Sequence, residues 1–347
     1  MSIAPEWLSE EGMHTLSEGY LLPGETPHAM FQRVARAAAT INEDPTLLDD
    51  LYDCLWRGWI GLASPVAANF GTTRALPISC YSVHLSDSVS SIYSHLKEVA
   101  QLSKNGGGVG VYFGDVRPSG APISGGGKST GIVPWSQQYD LAARVVSQGG
   151  VRRGSFAIYL PIDHPDLPEL LRAKDHTKGD PRKWIDSNVA VTVTDEWIES
   201  MIEGDSEKQE LFGKVLTTRM KSGSPYIIFI DNANRQNPQC YVERGLSVKT
   251  SNLCSEIFLH TDEHHTFVCV LSSINLSRYD EFSSWKSPTT GRTVPQLAIH
   301  LLDAVVSEFI RKAKGEVGMG RAVRFAEKSR ALGLGTMGLH KIGRAHV

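Results

Sequence analysis

Short β-rich runs that alternate with amphipathic stretches most limit what this 347-residue chain can fold into. The β-rich runs are residues 109–113, 155–160, 189–194, 226–230 and 267–271. The helix-like stretches are residues 89–102, 137–146, 196–202 and 207–220. Such alternation predicts an α/β fold in which helices cover a sheet. Periodicity alone does not distinguish an open sheet from a barrel.

The first 75 or so residues are predicted to be a helical packing segment. Thr26 can cap a helix whose first turn contains Pro27. Apolar residues follow at helical spacing, at Met30, Phe31 and Val34. We therefore divide the sequence into a helical segment over residues 1–75 and an α/β part that begins at residue 76.

Composition and charge exclude several classes of protein. The formal charge of −3 and the pI near 6.5 provide no basic field for a nucleic-acid polymer. The sequence shows no signal segment and no apolar run near the roughly 18 residues that span a bilayer, so we expect a cytoplasmic protein without membrane contact. Five widely spaced cysteines without a CxxC pair argue against a disulfide scaffold and a zinc site.

The segment 251–257, Ser-Asn-Leu-Cys-Ser-Glu-Ile, places an amide, a thiol and a carboxylate within five residues. In an extended loop, residues i and i+2 point to the same side, so Asn252, Cys254 and Glu256 would share one pocket. Read alone, such a cysteine is more often a small buried hydrophobe, and such a carboxylate is more often solvated.

Three further motifs accompany this segment in a defined order. They are Pro-Ile-Ser-Cys at 77–80, Ser-Gln-Gly-Gly-Val-Arg at 147–152 and Cys-Val-Leu-Ser-Ser-Ile-Asn-Leu at 269–276. Together the four motifs resemble those of the class I ribonucleotide reductase large (alpha) subunit. The resemblance implies a ten-stranded α/β barrel, built from two five-stranded halves, with the cysteine loop threaded through its centre.

The resemblance also implies catalytic roles. Cys254 would carry a thiyl radical that takes the 3′-hydrogen of the substrate ribose. Glu256 would accept the 3′-hydroxyl proton as a general base, and Asn252 would exchange hydrogen bonds with the ribose hydroxyls. Cys80 and Cys269 would finish as a disulfide that supplies two electrons. Read independently, each member of this pair is more often structural.

Substrate-binding residues implied by the resemblance are Ser64, Ser79, Gly108 and Asn252. Gly108 would lie beside the substrate base, because the absence of a Cβ lets a ligand approach the backbone. A bare turn at the entry to a strand is the alternative interpretation. The glycine-rich segment 125–130 is not a Walker A loop, since Pro122 stands where that motif needs glycine.

Allosteric effector binding is implied at Asp87, Arg117, Gln148 and Arg152. Asp87 would contact the effector sugar and Arg117 its phosphates, while residues 147–155 would connect the effector with the substrate. Two glycines before a pair of arginines suit an anionic ligand, although a solvated turn is the ordinary interpretation.

The implied function is thiyl-radical reduction of ribonucleoside diphosphates to 2′-deoxyribonucleotides for DNA synthesis. This chain would bind no metal or cofactor of its own. A separate metal-containing small (beta) subunit would supply the radical, a thioredoxin- or glutaredoxin-type protein the electrons, and a deoxynucleoside triphosphate or ATP the allosteric control. The large subunit would be a homodimer.

Two other functions stay open. A cobalamin-dependent class II reductase usually has Pro-Cys-Gly-Glu in its cysteine loop, whereas residues 252–256 are Asn-Leu-Cys-Ser-Glu. A catalytically inactive nucleotide-binding regulatory or assembly half-chain is the other alternative. It follows from the segment 331–339, which looks like the middle of the family barrel. We therefore expect only about the first half of the barrel over residues 76–341, a non-native tail at 342–347, and no ATP-cone domain in the helical lead-in.

Overall fold

The computed structural model describes residues 4–146, 154–177 and 180–341, and these residues divide into two compact units. The helical unit comprises residues 4–79, 268–316 and 323–341. The parallel-sheet unit comprises the described residues of 80–267 together with 317–322.

The elements are numbered in chain order. The helices are α1 Glu10–Ser17, α2 Pro27–Ile41, α3 Leu47–Trp56, α4 Ser64–Asn69, α5 Val89–Lys104, α6 Ile132–Val145, α7 Leu167–Lys174, α8 Asp195–Ile202, α9 Ser206–Ser222, α10 Ile230–Arg235, α11 Gln239–Val242, α12 Tyr279–Phe282, α13 Val294–Ala313 and α14 Gly320–Ser329. The strands are β1 Ile60–Leu62, β2 Cys80–His84, β3 Gly108–Tyr112, β4 Phe156–Pro161, β5 Asn188–Val193, β6 Tyr226–Phe229, β7 Phe267–Asn275 and β8 Leu332–Met337.

The helical unit confirms the predicted N-terminal segment. Thr26 caps α2 by accepting a hydrogen bond from the backbone N–H of Ala29, and Pro27 occupies the first turn. Met30, Phe31 and other apolar residues of α2 are buried against α3 and α13. The packing of this apolar stripe, rather than helix propensity, accounts for most of the stability of such helices.

The long helix α13 is absent from the sequence prediction. Its start carries a capping box, in which Thr293 and Gln296 bond reciprocally, and Pro295 lies in the first turn. This signal could have located the helix. In the same unit, β7 pairs antiparallel with β1, with Ile60 opposite Ile274, and parallel with β8, with Val270 opposite Leu332.

Five parallel strands form the sheet of the second unit, in the spatial order β2-β3-β4-β5-β6. Strands β3 to β6 begin within one residue of the predicted β-rich runs. Helices α5, α6 and α10 pack against β3, β4 and β5 respectively. The strand β2 was not predicted, because its sequence Cys-Tyr-Ser-Val-His contains no continuous apolar run of the kind that indicates a buried strand.

One face of this sheet is covered by the chain that follows α11. Directly paired residues of neighbouring strands point to the same side, and Cys80 pairs with Gly108, Gly110 with Ala157, and Tyr159 with Ala190. Apolar residues of this face are buried together with side chains of the covering segment, namely Tyr112, Ala157, Tyr159, Ala190 and Ile228 with Tyr241, Val248 and Leu253. The covering segment leads into the Asn-Leu-Cys-Ser-Glu sequence.

Candidate functional site

Residues 251–257, here called the thiol loop, lie directly on strand β3. A Cβ added to Gly110 would stand 2.0 Å from the carbonyl oxygen of Ser251, and one added to Gly108 would stand 2.5 Å from Cδ2 of Leu253. The two glycines therefore let the loop pack against the strand backbone. Leu253 fills the space that the missing Cβ of Gly108 leaves, and contact of Gly108 with a substrate base stays a prediction.

The thiol loop is a turn, so the expected extended conformation is wrong. Ser255 has φ +66° and its N–H donates to the carbonyl oxygen of Asn252 at 3.2 Å. Asn252 is fully buried, whereas Cys254 and Glu256 are exposed. The alternation argument failed because residues 252–255 form a turn, and a turn does not keep the two-residue period of an extended chain. Cys254 and Glu256 lie at the exposed side of the turn, and Asn252 lies beneath it.

The side chain of Asn252 organises the turn through its oxygen. Oδ1 accepts hydrogen bonds from the N–H groups of Glu256 and Ile257, both at 3.2 Å, and from the hydroxyl of Ser251 at 3.1 Å. Its Nδ2 is buried and has no hydrogen-bond partner within the described part of the chain. An unsatisfied buried donor costs about 1–3 kcal/mol, so the amide is suited to donate to a ligand.

Tyr159 holds the thiol loop from the sheet below. Its hydroxyl donates to the carbonyl oxygen of Asn252 at 2.5 Å and lies 2.7 Å from Oγ of Ser255. Burial raises the pKa of Tyr159 well above its ordinary value, so the phenol stays protonated at neutral pH. The sequence analysis missed this residue. Tyr159 lies two residues after Ala157, the partner of Gly110, so strand alternation places it on the same face as Gly110. No sequence signal links it to the thiol loop.

The predicted cysteine pair is distributed over the two units. Cys80 is the first residue of β2, lies opposite Gly108 in the sheet register and is buried. Cys269 is buried on β7. All five cysteines carry thiols, and the pairing of Cys80 with Cys269 stays a prediction. Cys54 is a core residue of α3, where burial raises the pKa of its thiol, and Cys240 is exposed.

Of the predicted substrate serines, Ser64 lies at a cavity of the helical unit. It is the first residue of α4, and the hydroxyl of Tyr20 donates to its Oγ at 3.0 Å. The cavity has a volume of about 370 Å³ and is also lined by Gly61 and Asn275. Ser79 is half-buried immediately before β2. Their contacts with substrate stay predictions.

The predicted effector residues Asp87 and Arg117 line a cavity of about 420 Å³ in the parallel-sheet unit. Nε of Arg117 donates to Oδ2 of Asp87 at 2.6 Å, and its Nη1 donates to the carbonyl oxygen of Pro122 at 2.6 Å. The two residues assigned to separate parts of an effector therefore bind each other across the cavity. Gln148 and Arg152, the other predicted effector residues, lie outside the described residues.

The walls of this cavity combine apolar surface with one lysine. Ile92 and Trp135 contribute apolar surface, and Ser88 caps the N-terminus of α5 at the cavity, where the helix dipole favours an anion. Lys128 also lines the cavity, and the structure records no ion pair for it in the described part of the chain. Pro122 and Lys128 form an isolated antiparallel bridge, so the glycine-rich residues between them lie in a turn within the connection from β3 to α6.

A charged cluster that the sequence analysis did not identify joins the ends of β2 and β3 to the chain before the thiol loop. Asp115 accepts hydrogen bonds from Nε2 of His84 at 2.5 Å and from Nζ of Lys249 at 2.8 Å. The bond from His84 is the main cause that lowers the pKa of Asp115 to about 2. Lys249 lies two residues before the loop, so this cluster fixes the approach of the chain to it.

The described residues contain neither a cluster of metal ligands nor a helix that could span a membrane. No group of three or more histidine, cysteine, aspartate or glutamate side chains is arranged to hold a metal ion within residues 4–146, 154–177 and 180–341. Over the same ranges, every helix is too short or too polar to cross a membrane.

Comparisons with known proteins agree with these features. The Actinobacillus ureae class Id ribonucleotide reductase alpha subunit is similar in structure, with a TM-score of 0.88 and 39% sequence identity over 98% of this chain and 62% of that chain. Ribonucleoside-diphosphate reductase large subunits of Invertebrate iridescent virus 3 and Arabidopsis thaliana are 29% and 34% identical, over 95% and 77% of this chain. The chain spans 61% and 38% of those two proteins.

Two family models match nearly the whole chain. The ribonucleotide reductase all-alpha domain matches residues 6–75, and the ribonucleotide reductase barrel domain matches residues 78–208 and 199–344. The prediction of a helical segment followed by part of a reductase α/β barrel is confirmed. With the thiol loop lying on its glycine-bearing strand, the chain belongs to the ribonucleotide reductase large-subunit family.

Proposed function

We propose that this chain provides the first part of a ribonucleoside-diphosphate reductase large subunit, which reduces ribonucleoside diphosphates to 2′-deoxyribonucleotides. The observation that carries the proposal is the thiol loop. It presents the exposed Cys254 and Glu256 on a turn built around the buried Asn252, whose Nδ2 lacks a partner in the described residues. A thiol, a carboxylate and an amide donor in one turn match the needs of radical chemistry at a ribose.

In the proposed reaction, Cys254 as a thiyl radical takes the hydrogen atom from C3′ and becomes a thiol. Glu256 accepts the proton of the 3′-hydroxyl, which favours loss of the 2′-hydroxyl as water. Asn252 donates a hydrogen bond to a ribose hydroxyl through Nδ2 and does not accept one, because its Oδ1 is already engaged by the loop. Cys254 returns the hydrogen atom to C3′ at the end of the cycle.

The two electrons come from Cys80 and Cys269 in this proposal. One thiol protonates the 2′-hydroxyl, which leaves as water, and the other delivers a hydrogen atom to C2′. The pair then passes one electron to the 3′-carbonyl, which takes back the proton held by Glu256, and the two cysteines are left as a disulfide that an external thioredoxin- or glutaredoxin-type dithiol reduces. Ser64, Ser79 and Gly108 contribute to substrate binding. The burial of both cysteines supports the proposal, because it protects them from adventitious oxidation.

We also propose that the cavity at Asp87 and Arg117 takes a deoxynucleoside triphosphate or ATP as effector, together with Gln148 and Arg152. Its apolar wall at Ile92 and Trp135 suits a base, and Arg117 with the N-terminus of α5 suits phosphate. The further partners are a second copy of the large subunit and a metal-containing small subunit. That subunit would supply the radical.

A regulatory or assembly role without catalysis is the second candidate. It is favoured by the coverage of the chain, which spans at most 62% of the relatives described above. The cavity at Asp87 and Arg117 is lined by residues of this chain alone, which supports nucleotide binding by the chain without catalysis.

The test is a chimera. This chain is joined to the remaining part of the Actinobacillus ureae alpha subunit and supplied with that enzyme's small subunit, a thioredoxin-type reductant and a ribonucleoside diphosphate. We expect formation of 2′-deoxynucleoside diphosphate, measured by chromatography. A folded chimera that binds nucleotide without reducing it would favour the regulatory role.

A further inference from the structure

The backbone of Ser255 in the thiol loop adopts the left-handed region, which is unfavourable for residues that carry a Cβ. Ser255 has φ +66°, and this region costs a residue with a Cβ on the order of 1–2 kcal/mol. Glycine would adopt it without that cost. The presence of serine therefore indicates that its hydroxyl has a function that offsets the strain.

The partner of this hydroxyl is the buried phenol of Tyr159. A phenol carries one hydrogen, and Tyr159 donates it to the carbonyl oxygen of Asn252 at 2.5 Å. The contact of 2.7 Å between the oxygens of Tyr159 and Ser255 must then be a hydrogen bond in which Ser255 donates. The hydrogens of both hydroxyls are thus assigned by elimination, that of Tyr159 to Asn252 and that of Ser255 to Tyr159.

These two hydrogen bonds hold both ends of the turn that carries the thiol. Asn252 precedes Cys254 by two residues and Ser255 follows it directly, so one phenol oxygen fixes the backbone on either side of Cys254. Tyr159 itself is fully buried on β4, where its backbone carbonyl also accepts the N–H of Phe113 at 2.9 Å. The position of the thiol loop is therefore fixed by hydrogen bonds to a residue of the sheet.

We infer that Tyr159 is a positioning residue for the thiol loop, and that its hydroxyl bridge to Asn252 and Ser255 sets the place of Cys254 and Glu256. The role of this placement in reduction rests on the function proposed above. The hydrogen-bonded bridge is independent of that function. Hydrogen-atom transfer and proton abstraction require the reacting atoms to be held to within a fraction of an ångström, and a hydrogen-bonded bridge restricts the loop in this way.

Amide hydrogen exchange on the soluble chain tests the bridge without any substrate. The N–H groups of Ser255, Glu256 and Ile257 all bond to Asn252, so their exchange reports opening of the loop. In Tyr159→Phe we expect these amides to exchange roughly fivefold faster, the factor expected for one net hydrogen bond. The amide of Phe113 should keep its wild-type rate. Unchanged rates at the three loop amides would overturn the inference.

Tyr139→Phe is the matched control. Tyr139 is also a fully buried tyrosine, and its hydroxyl donates to a backbone carbonyl, that of Ile92, at 2.7 Å. We expect the loop amides to exchange at the wild-type rate in this variant. Equal acceleration in both variants would mean that loss of any buried hydroxyl loosens the loop, and this would contradict a specific role of Tyr159.

A double-mutant cycle decides the case in which Tyr159→Phe also speeds exchange at Phe113. Ser255→Ala removes the second hydroxyl and keeps Tyr159. Ser255→Ala should raise the exchange rate of the loop amides several-fold in the wild-type chain and by a smaller factor in the Tyr159→Phe background. The backbone strain at φ +66° is present in both backgrounds, whereas the hydrogen bond to Tyr159 is present only in the wild-type chain. Additive effects would refute the bridge. Absence of reductase activity in the chimera would contradict the proposed function alone.

Discussion

Cys254 is the residue on which the proposed chemistry depends. Its thiol can release and recover a hydrogen atom, which a serine hydroxyl cannot do because its O–H bond is too strong. In the chimera we expect Cys254→Ser to lose turnover while effector binding is retained, since Cys254 does not line the effector cavity. Deoxynucleotide formation and calorimetric effector titration measure the two properties. Residual turnover above a few per cent of the parent rate would refute the radical role.

The pairing of Cys80 with Cys269 is a second prediction at the residue scale. After a single round of reduction without added reductant, we expect one new disulfide between these two thiols, since they are the proposed source of both electrons. Peptide mapping after alkylation of the remaining thiols identifies the bond. A disulfide that includes Cys54 or Cys240 would show that the assignment is wrong.

Residue types were predictable where a side chain brings its own chemistry. Cys254, Glu256 and Asn252 could be selected from the sequence because thiol, carboxylate and amide are recognisable at short spacing. Their exposure was not predictable, because residues 252–255 form a turn that leaves Asn252 buried and Cys254 and Glu256 exposed. Tyr159 could not be found either, since its partner is a backbone carbonyl distant in sequence.

Helix α5 carries a buried histidine that should make stability depend on pH. His95 is 1% exposed, its Nδ1 bonds the carbonyl oxygen of Ser91, and charges of Arg321, His84 and Glu263 face it. Burial, the largest cause, lowers the pKa of His95 to about 4. The native state then binds fewer protons than the unfolded state between pH 4 and an unfolded pKa of about 6.5.

Stability should consequently be full above about pH 6.5 and decline as the pH falls towards 4, by on the order of 3 kcal/mol from this group. His95→Gln should flatten that part of the curve, because glutamine does not titrate. Urea unfolding midpoints at several pH values measure the difference, and His14→Gln in the exposed helix α1 is the control. Identical curves for His95→Gln and the parent chain would contradict the buried, neutral histidine.

The turn between β3 and α6 should control effector affinity. Arg117 binds both Asp87 and the carbonyl oxygen of Pro122, so it organises the cavity as well as providing charge. Arg117→Ala should weaken deoxynucleoside triphosphate binding by on the order of 1.5–3 kcal/mol, the value of a charged hydrogen bond. Calorimetric titration measures the change, with the exposed Arg244→Ala as control. An equal loss in both variants would indicate a non-specific effect of charge.

Elements were predictable when their period or composition was unambiguous. Strands β3 to β6 were found because their β-branched and aromatic residues form continuous runs between turn residues. The strand β2 mixes Cys, Ser and His with two apolar residues, and its burial comes from neighbouring strands that a local window does not contain. The barrel was not derivable from periodicity, and it entered through the resemblance of four motifs.

At the scale of the whole molecule, the chain spans 62% or less of the relatives described above, and this extent governs its behaviour when expressed alone. In the described sheet of the parallel-sheet unit, β6 pairs with β5 on one side and is last in the strand order. Phe229 of β6 is 42% exposed. An unpaired strand edge that bears apolar side chains promotes edge-to-edge association, so we expect much of the chain to aggregate.

The soluble material should bind a deoxynucleoside triphosphate and show no reductase activity, even with a small subunit and a thioredoxin-type reductant present. Binding is expected because Asp87, Arg117 and the N-terminus of α5 line one cavity within the described residues. Catalysis is not expected because a thiol loop can shield its radical from water only within a closed barrel, and the chain provides the first five parallel strands of one. Calorimetry and chromatographic assay of deoxynucleotides, with the active chimera as positive control, measure both properties. Steady deoxynucleotide production by the 347-residue chain and small subunit would show that these residues suffice for catalysis.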